Sequence, residues 1–230
     1  ESFVDDVREN QLSLQESDTV RIEDLEDYFN NIDQDVNKLN TMLEIGFRVP
    51  KLLKHYQDAG VQRVIGYDVV KLNVEIGRRL GYETYSQDFN NLDSCEFPQL
   101  DYADLVVSYH MLEHVSNPFK AMKKIYESMK EGAFFHVEVP IEGPVPNIRY
   151  GHLYPFHVYD LEKMLMECGF HVCTFSDMTT QTAASARRVL AQKRSREKPL
   201  QDVVGASVRI TVPDVVDFFA VLDRSRKVNI

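Results

Sequence analysis

Tryptophan is absent from the 230 residues and cysteine is nearly so. The three cysteines, Cys95, Cys168 and Cys173, are too few and too badly spaced for a disulfide framework or a paired-cysteine zinc site. That scarcity predicts a reducing, cytoplasmic setting. No apolar run approaches the roughly 20 residues that a membrane-spanning helix needs, and the chain opens without the basic-then-apolar pattern of a secretory signal, so no membrane partner is expected. Its first residue is Glu1 and not a methionine, which predicts trimming or processing. Basic charge is also short: 26 Lys and Arg against 36 Asp and Glu give a net charge of −10. A protein held by phosphates needs a cationic face whose counterion release drives association, so no nucleic-acid partner is expected either.

The acidic excess is local. Residues 1–40 hold twelve acidic and three basic side chains, which sets them apart as an acidic N-terminal helical extension. Within it, residues 1–17 read as a short helix or a loose arm. Residues 19–32 read as a helix, with Thr19 as cap and Ile22, Leu25, Tyr28, Phe29 and Ile32 at helical spacing; it is expected to pack beside the first strand or to cover a ligand cleft. One basic cluster opposes it: Arg187, Arg188, Lys193, Arg194, Arg196 and Lys198. Three readings stay open for that cluster, namely a solvated surface, a phosphorylated-substrate site, and a partner for the acidic N-terminus.

What the chain does have is a strand, a glycine turn and a helix at residues 41–56, TMLEIGFRVPKLLKHY. The apolar run ending at Gly46, with Glu44 as its only charge, predicts a buried parallel strand. Pro50 suits a first helical position, and Leu52, Leu53 and Tyr56 make one face of the following helix. A helix N-terminus after a strand presents backbone N–H groups to a ligand. The alternation then continues: strands at 61–68, 82–88, 101–109 and 133–139 and one at FHVCTFSD, with helices at 70–80, after Asn117 and Pro118, and near 158–168, several closed by Gly60, Gly81, Gly132 or Gly169. That pattern predicts a Rossmann-like, doubly wound and mostly parallel sheet with helices on both faces and the ligand at the carboxyl ends of its strands. Asp68 ends the second strand, where a carboxylate can accept from both hydroxyls of a ribose.

Taken in order, LEIG at 43–46, VIGYD at 64–68, SQDF at 86–89, the long segment at 104–140 containing HMLEHVSNP, and GHLYPFHVYDLEKMLMECGF at 151–170 resemble the class I S-adenosylmethionine-dependent methyltransferases, most closely their small-molecule branch. The resemblance spans about residues 40–175. It implies a seven-stranded sheet whose last strand is antiparallel, S-adenosylmethionine as cofactor, and methyl transfer to a nucleophile. Carried over residue by residue, it puts Glu44 and Gly46 near the methionine moiety, Asp68 with Val69 on the ribose, Asp88 and Phe89 at the adenine edge, and Tyr109 and His110 beside the sulfonium. The cofactor's ammonium, sulfonium and diol suit carboxylates at strand ends and need no basic phosphate loop.

The chain departs from that family in the glycine loop, where Arg48 and Pro50 stand in place of two further glycines. Arg48 is expected to reach the cofactor carboxylate from a loop of altered shape; the alternative is a non-catalytic domain of the same fold with a decayed loop. A second alternative comes from His110, Glu113 and His114, which spell the H-x-x-E-H of a helical zinc hydrolase. They follow a buried strand and precede a new helix start, and the sequence nominates no third ligand, so no metal is expected.

A hydroxyl acceptor gains from a base, and histidine is the usual one near neutral pH. Of seven histidines, His110, His114 and His152 fall on loops at the strand ends, and His114 or His152 is the candidate base. His55, His136 and His171 fall within elements and read as structural. Residues 141–157 form a long connection with three prolines and several aromatics, the composition of a binding lid; Arg149, Tyr150 and Tyr154 are its candidate acceptor contacts. The mixture suits a small hydroxylated acceptor such as a sugar or sugar phosphate. Residues 41–200 are thus read as the methyltransferase core, with 187–194 as its last strand or a helix. Residues 201–230 read as a C-terminal strand and helix, apolar enough to support a homodimer.

Overall fold

The computed structural model describes residues 12–94, 96–143, 146–179 and 185–194. Expectations for residues 1–11 and 201–230, including a homodimer through the C-terminal segment, fall outside them. Seven strands, β1 (Thr41–Ile45), β2 (Arg63–Asp68), β3 (Glu83–Ser86), β4 (Leu105–Tyr109), β5 (Phe134–Ile141), β6 (Phe170–Thr179) and β7 (Ser185–Lys193), form one sheet in the order β3-β2-β1-β4-β5-β7-β6. β1 to β5 pair in parallel, and β7 runs antiparallel to both β5 and β6. The last strand is therefore the antiparallel one, and all of 187–194 but Arg194 belongs to it and not to a helix. No helix among the described residues is long and apolar enough to cross a membrane.

The alternation of side chains along each strand divides the core in two. On one face Leu43, Ile45, Val106, Phe135 and Val137 pack with Ala121, Met122 and Ile125 of α4 (Pro118–Ser128) and with Leu161 and Leu165 of α5 (Asp160–Cys168). On the other, Met42, Val64, Leu105, Val107, Phe134 and Leu190 meet Ile22, Leu25 and Phe29 of α1 (Glu16–Asn31) and Leu52, Leu53 and Tyr56 of α2 (Lys51–Ala59). Leu25 and Phe29 are fully buried, at roughly 1.5–3 kcal/mol each, so α1 is a structural layer of the domain as well as an acidic extension.

Two local expectations need correction. α1 begins at Glu16 and not at Thr19: Gln15 and Asp18 close a reciprocal capping box, and the Thr19 hydroxyl bonds back to the Gln15 carbonyl. Pro50 is the residue before α2 and not its first, with φ −79° and ψ 44°, and its carbonyl accepts from Lys54 N–H at 3.0 Å.

The basic cluster is the larger surprise. Arg187 and Arg188 are almost completely buried. Being adjacent on β7, they point to opposite faces: Arg187 Nε donates to Glu162 Oε1 of α5 at 2.7 Å, while Arg188 Nη2 meets Glu138 Oε2 at 2.6 Å and its Nη1 pairs with Asp24 of α1. They are neither a solvated surface nor a phosphate site; Arg188 pairs with the acidic N-terminal helix, one of the three readings. Arg196 and Lys198 lie outside the described residues.

Candidate active site

Strand ends create the site. At the end of β1, Gly46 takes φ 81°, and a Cβ there would lie 3.2 Å from the Met111 Cβ, so this turn requires glycine. Two residues on, Arg48 itself adopts φ 48°: the left-handed turn that glycine favours is kept with an arginine in it. Its backbone N–H donates to Asp68 Oδ2 at 2.9 Å, which ties the loop to the end of β2.

Asp68 is buried, and its carboxylate also accepts from Val70 N–H at 2.8 Å and Asn73 Nδ2 at 3.2 Å. It does not cap the helix α3 (Lys71–Arg79), whose capping position is Val70; it fastens the β1 turn and the start of α3 together. Asp68, the exposed Val69, Asp88, Phe89, Gly46, Met111 and His114 all line one crevice of about 100 Å³ at the carboxyl ends of β1, β2 and β4. Phe89 is held there by stacking on Phe97 at 4.7 Å. Ligand sites usually measure about 300–1,000 Å³, so this crevice is narrow for a nucleoside, with the Met111 side chain among its walls. A wider depression lined by Asn30, Asp33 and Lys38 lies before β1, at the wrong end of the strands for this fold's chemistry.

Behind the crevice, Glu44 faces α1. Its carboxyl is buried, Oε2 has no hydrogen-bond partner, and burial pushes its pKa well above the usual carboxylate range. Glu138, also buried under α1, is saturated instead: Arg21, Arg188 and His110 all contact it. Burial opposes its ionisation, but the hydrogen bonds from His110 and Arg21 and the two arginine charges hold its pKa below the ordinary range.

Tyr109 does not line the crevice. Its ring lies 4.5 Å below the Arg21 guanidinium, and its hydroxyl is 2.8 Å from His136 Nδ1. His110 follows with φ 53°, its two ring nitrogens 3.2 Å from Glu113 Oε1 and 2.9 Å from Glu138 Oε1. Burial works against its protonation, yet those bonds to Glu113 and Glu138 outweigh it and lift the pKa to about 9. With both nitrogens engaged, and with Leu112–His114 a single 3-10 turn, the helical H-x-x-E-H arrangement is not formed.

Residues 146–157 fold back over this turn. Leu153 and Tyr154 N–H both donate to the Glu113 carbonyl, at 2.7 and 3.1 Å, and Glu142 N–H donates to Phe156 at 2.8 Å. The fold-back brings His152 against His114, edge to face with ring centroids 5.0 Å apart. Tyr150 is exposed and its ring lies 6.2 Å from that of His152; Tyr154 packs on Phe156, and Arg149 belongs to the 3-10 turn Ile148–Tyr150. The candidate bases therefore meet, and His114 joins them to the crevice. Sequence reasoning missed the buried network around Glu138 and the contact of Glu142 Oε1 with His152 Nδ1 at 2.5 Å. A glutamate inside the apolar run FFHVEVP was the available signal for the first.

A family model described as a methyltransferase domain matches residues 20–175. The chain belongs to that family, and the resemblance to class I S-adenosylmethionine-dependent methyltransferases holds. S-adenosylmethionine is accordingly its cofactor. Among solved structures the fold is similar to that of a methyltransferase from Archaeoglobus fulgidus, with 17% identity, TM-score 0.57 and coverage of 84% of this chain and 99% of that one. It is also similar to a methyltransferase from Listeria monocytogenes, with 13% identity, TM-score 0.57 and coverage of 75% and 100%. The cyclase SpnF is similar too, with 14% identity, TM-score 0.61 and coverage of 79% and 83%. At such identities these likenesses speak to the fold alone. No curated protein matches the chain in sequence.

Proposed function

We propose that the protein methylates a hydroxyl of a small molecule, such as a sugar or sugar phosphate, held beneath residues 141–157. The observation that carries this reading is the place of His114: it lines the crevice and it meets His152 of the fold-back segment edge to face. A methyl donor in the crevice and an acceptor under the segment would meet at that side chain.

In this reading Glu44 takes the cofactor ammonium, whose charge would restore its ionised form. Backbone at Gly46 and Arg48 borders the methionine moiety, with the Arg48 guanidinium free to reach the carboxylate. Asp68 and Val69 take the ribose, and Asp88 and Phe89 the adenine edge. Tyr109 and His110 act at the end of β4, Tyr109 through its backbone and His110 by holding Glu113. On the acceptor side, Arg149, Tyr150 and Tyr154 bind, and His114 and His152 receive the hydroxyl proton. Methyl transfer is an in-line displacement, so alignment supplies much of the rate, with effective molarities on the order of 10⁵ M or more in well-oriented systems, and a base adds about 10²- to 10⁴-fold.

The test separates the two halves of the site. Asp68→Ala should weaken S-adenosylmethionine binding, and His152→Ala should leave that binding intact while lowering production of S-adenosylhomocysteine with hydroxylated acceptors. A His152→Ala protein that turns over such acceptors at the original rate would remove the histidine pair from the mechanism.

A further inference from the structure

The histidine pair and its neighbour Glu113 hold more than a base requires. One ligand-type atom from each of Glu113, His114 and His152 lies within 4.8 Å of the other two. His114 Nδ1 lies 3.1 Å from the Gly151 carbonyl oxygen and His152 Nδ1 lies 2.5 Å from Glu142 Oε1. Each partner is an acceptor, so in both rings Nδ1 carries the hydrogen. The Nε2 of each ring is then the nitrogen turned to other partners. Glu113 is buried, and its Oε2 has no hydrogen-bond partner. His114 Nε2 stands 4.0 Å from Glu113 Oε1. The set converges on a buried carboxylate with Oε1 held by His110 and Oε2 unpartnered, an arrangement that a cation would complete.

We propose that Glu113, His114 and His152 bind a divalent first-row cation of the Mn²⁺ or Zn²⁺ kind, on the acceptor side of the methyl-transfer site. Two imidazoles and one carboxylate with open positions are a recurrent ligand set for such ions. At metal–ligand bonds of about 2.0–2.2 Å, three ligands spread round one ion stand about 3.4–3.8 Å apart, so a set now within 4.8 Å closes by up to about 1 Å on binding. Glu142 behind His152 and the Gly151 carbonyl behind His114 are the outer partners that orient metal-binding imidazoles. The site differs from the zinc-hydrolase pattern, since His152 replaces His110, whose nitrogens are taken by Glu113 and Glu138.

The inference rests on the methyl-transfer reading for its chemistry. An acceptor hydroxyl bound at an open position is acidified, as metal-bound water is; its proton leaves to solvent. The oxygen lone pair then forms the O–CH₃ bond as the C–S bond breaks, and the sulfonium becomes a neutral thioether. In the loaded protein the two histidines hold the metal, and the metal replaces them as the agent of deprotonation.

The experiment uses the whole chain after chelator treatment, titrated calorimetrically with Mn²⁺ and Zn²⁺ and checked by equilibrium dialysis with elemental analysis. S-adenosylmethionine binding is measured in parallel on the same samples. One equivalent of metal should bind, Glu113→Gln and His152→Ala should abolish it, and Glu142→Gln should weaken it about 10- to 100-fold as outer-partner changes do, all with cofactor affinity retained. Loss of metal with cofactor binding kept cannot be put down to misfolding. Absence of binding, or equal binding in the ligand variants, overturns the site and leaves the histidines as bases. Metal binding in a protein that does not bind S-adenosylmethionine keeps the site and overturns the methyl-transfer reading instead.

Discussion

Glu44 on β1 and Glu138 on β5 lie on the same face of the sheet, both buried beneath α1, and they have opposite fates. Glu138 is enclosed by Arg21, Arg188 and His110 and is held ionised. Glu44 keeps an unpartnered oxygen and is pushed toward its neutral form by burial. A saturated buried charge ties layers together, in this case α1, β5 and β7. An unsaturated one beside a crevice is a cost that a ligand can relieve.

Breaking that contrast should give the largest effect. Glu138→Gln removes the carboxylate shared by two buried arginines, leaving them Asp18 and Asp24, and removing one partner of a buried pair costs about 3–5 kcal/mol, read as a lowered urea midpoint. Glu44→Gln removes a carboxyl whose ionisation burial already opposes and breaks no ion pair, so it should destabilise much less than Glu138→Gln, while S-adenosylmethionine affinity falls by the about 1.5–3 kcal/mol of a hydrogen bond to a charged group. Equal destabilisation by the two substitutions would erase the distinction.

Asp68 lies between these extremes, since it fastens two loops and offers acceptors to the ribose. Asp68→Ala should weaken cofactor binding by about 1–3 kcal/mol, and calorimetry showing unchanged affinity would remove the ribose assignment.

His136 sharpens the saturated side by pH. Burial, with the charges of Arg188 and Arg21 outweighing that of Glu138, lowers its pKa from 6.5 to about 3. The unfolded chain takes up a proton that the folded one refuses. Its stability contribution is therefore complete above about pH 6.5 and lost as pH falls toward 3, at about 1 kcal/mol per pH unit for one proton. Denaturant midpoints measured across that window should flatten in His136→Gln; an unaltered slope would show that other groups carry it.

The smallest effect belongs to the loop. Arg48→Gly relieves a left-handed penalty of roughly 1–2 kcal/mol, offset by glycine's greater freedom in the unfolded chain. A net stabilisation below about 1 kcal/mol with cofactor affinity kept is expected from thermal melts and titration, and a marked loss of affinity would assign the Arg48 side chain a direct contact.

The parallel strands and the crevice at their ends were legible because they depend on local signals, apolar runs, Gly46 at a turn and Asp68 at a strand end, whereas the antiparallel last strand was implied by the family resemblance alone. The buried arginines were not, since ARRVLA reads as surface until Glu162, Glu138 and Asp24, far away in sequence, are brought beside it. The same holds for the third member of the metal-ligand set. His152 meets His114 only because Leu153 and Tyr154 bond back to the Glu113 carbonyl, a pairing that no spacing rule encodes. Arg48 shows the reverse case: its departure from glycine was plain in the sequence, but the φ of 48° and the bond to Asp68 that preserve the turn were not.

The central claim, a working cofactor site in spite of Arg48 and Pro50, is tested most directly by calorimetric titration of the folded protein with S-adenosylmethionine and, separately, with S-adenosylhomocysteine. Saturable one-to-one binding of both is the predicted result. No detectable heat with either would contradict the account and mark the chain as a non-catalytic domain of the methyltransferase fold.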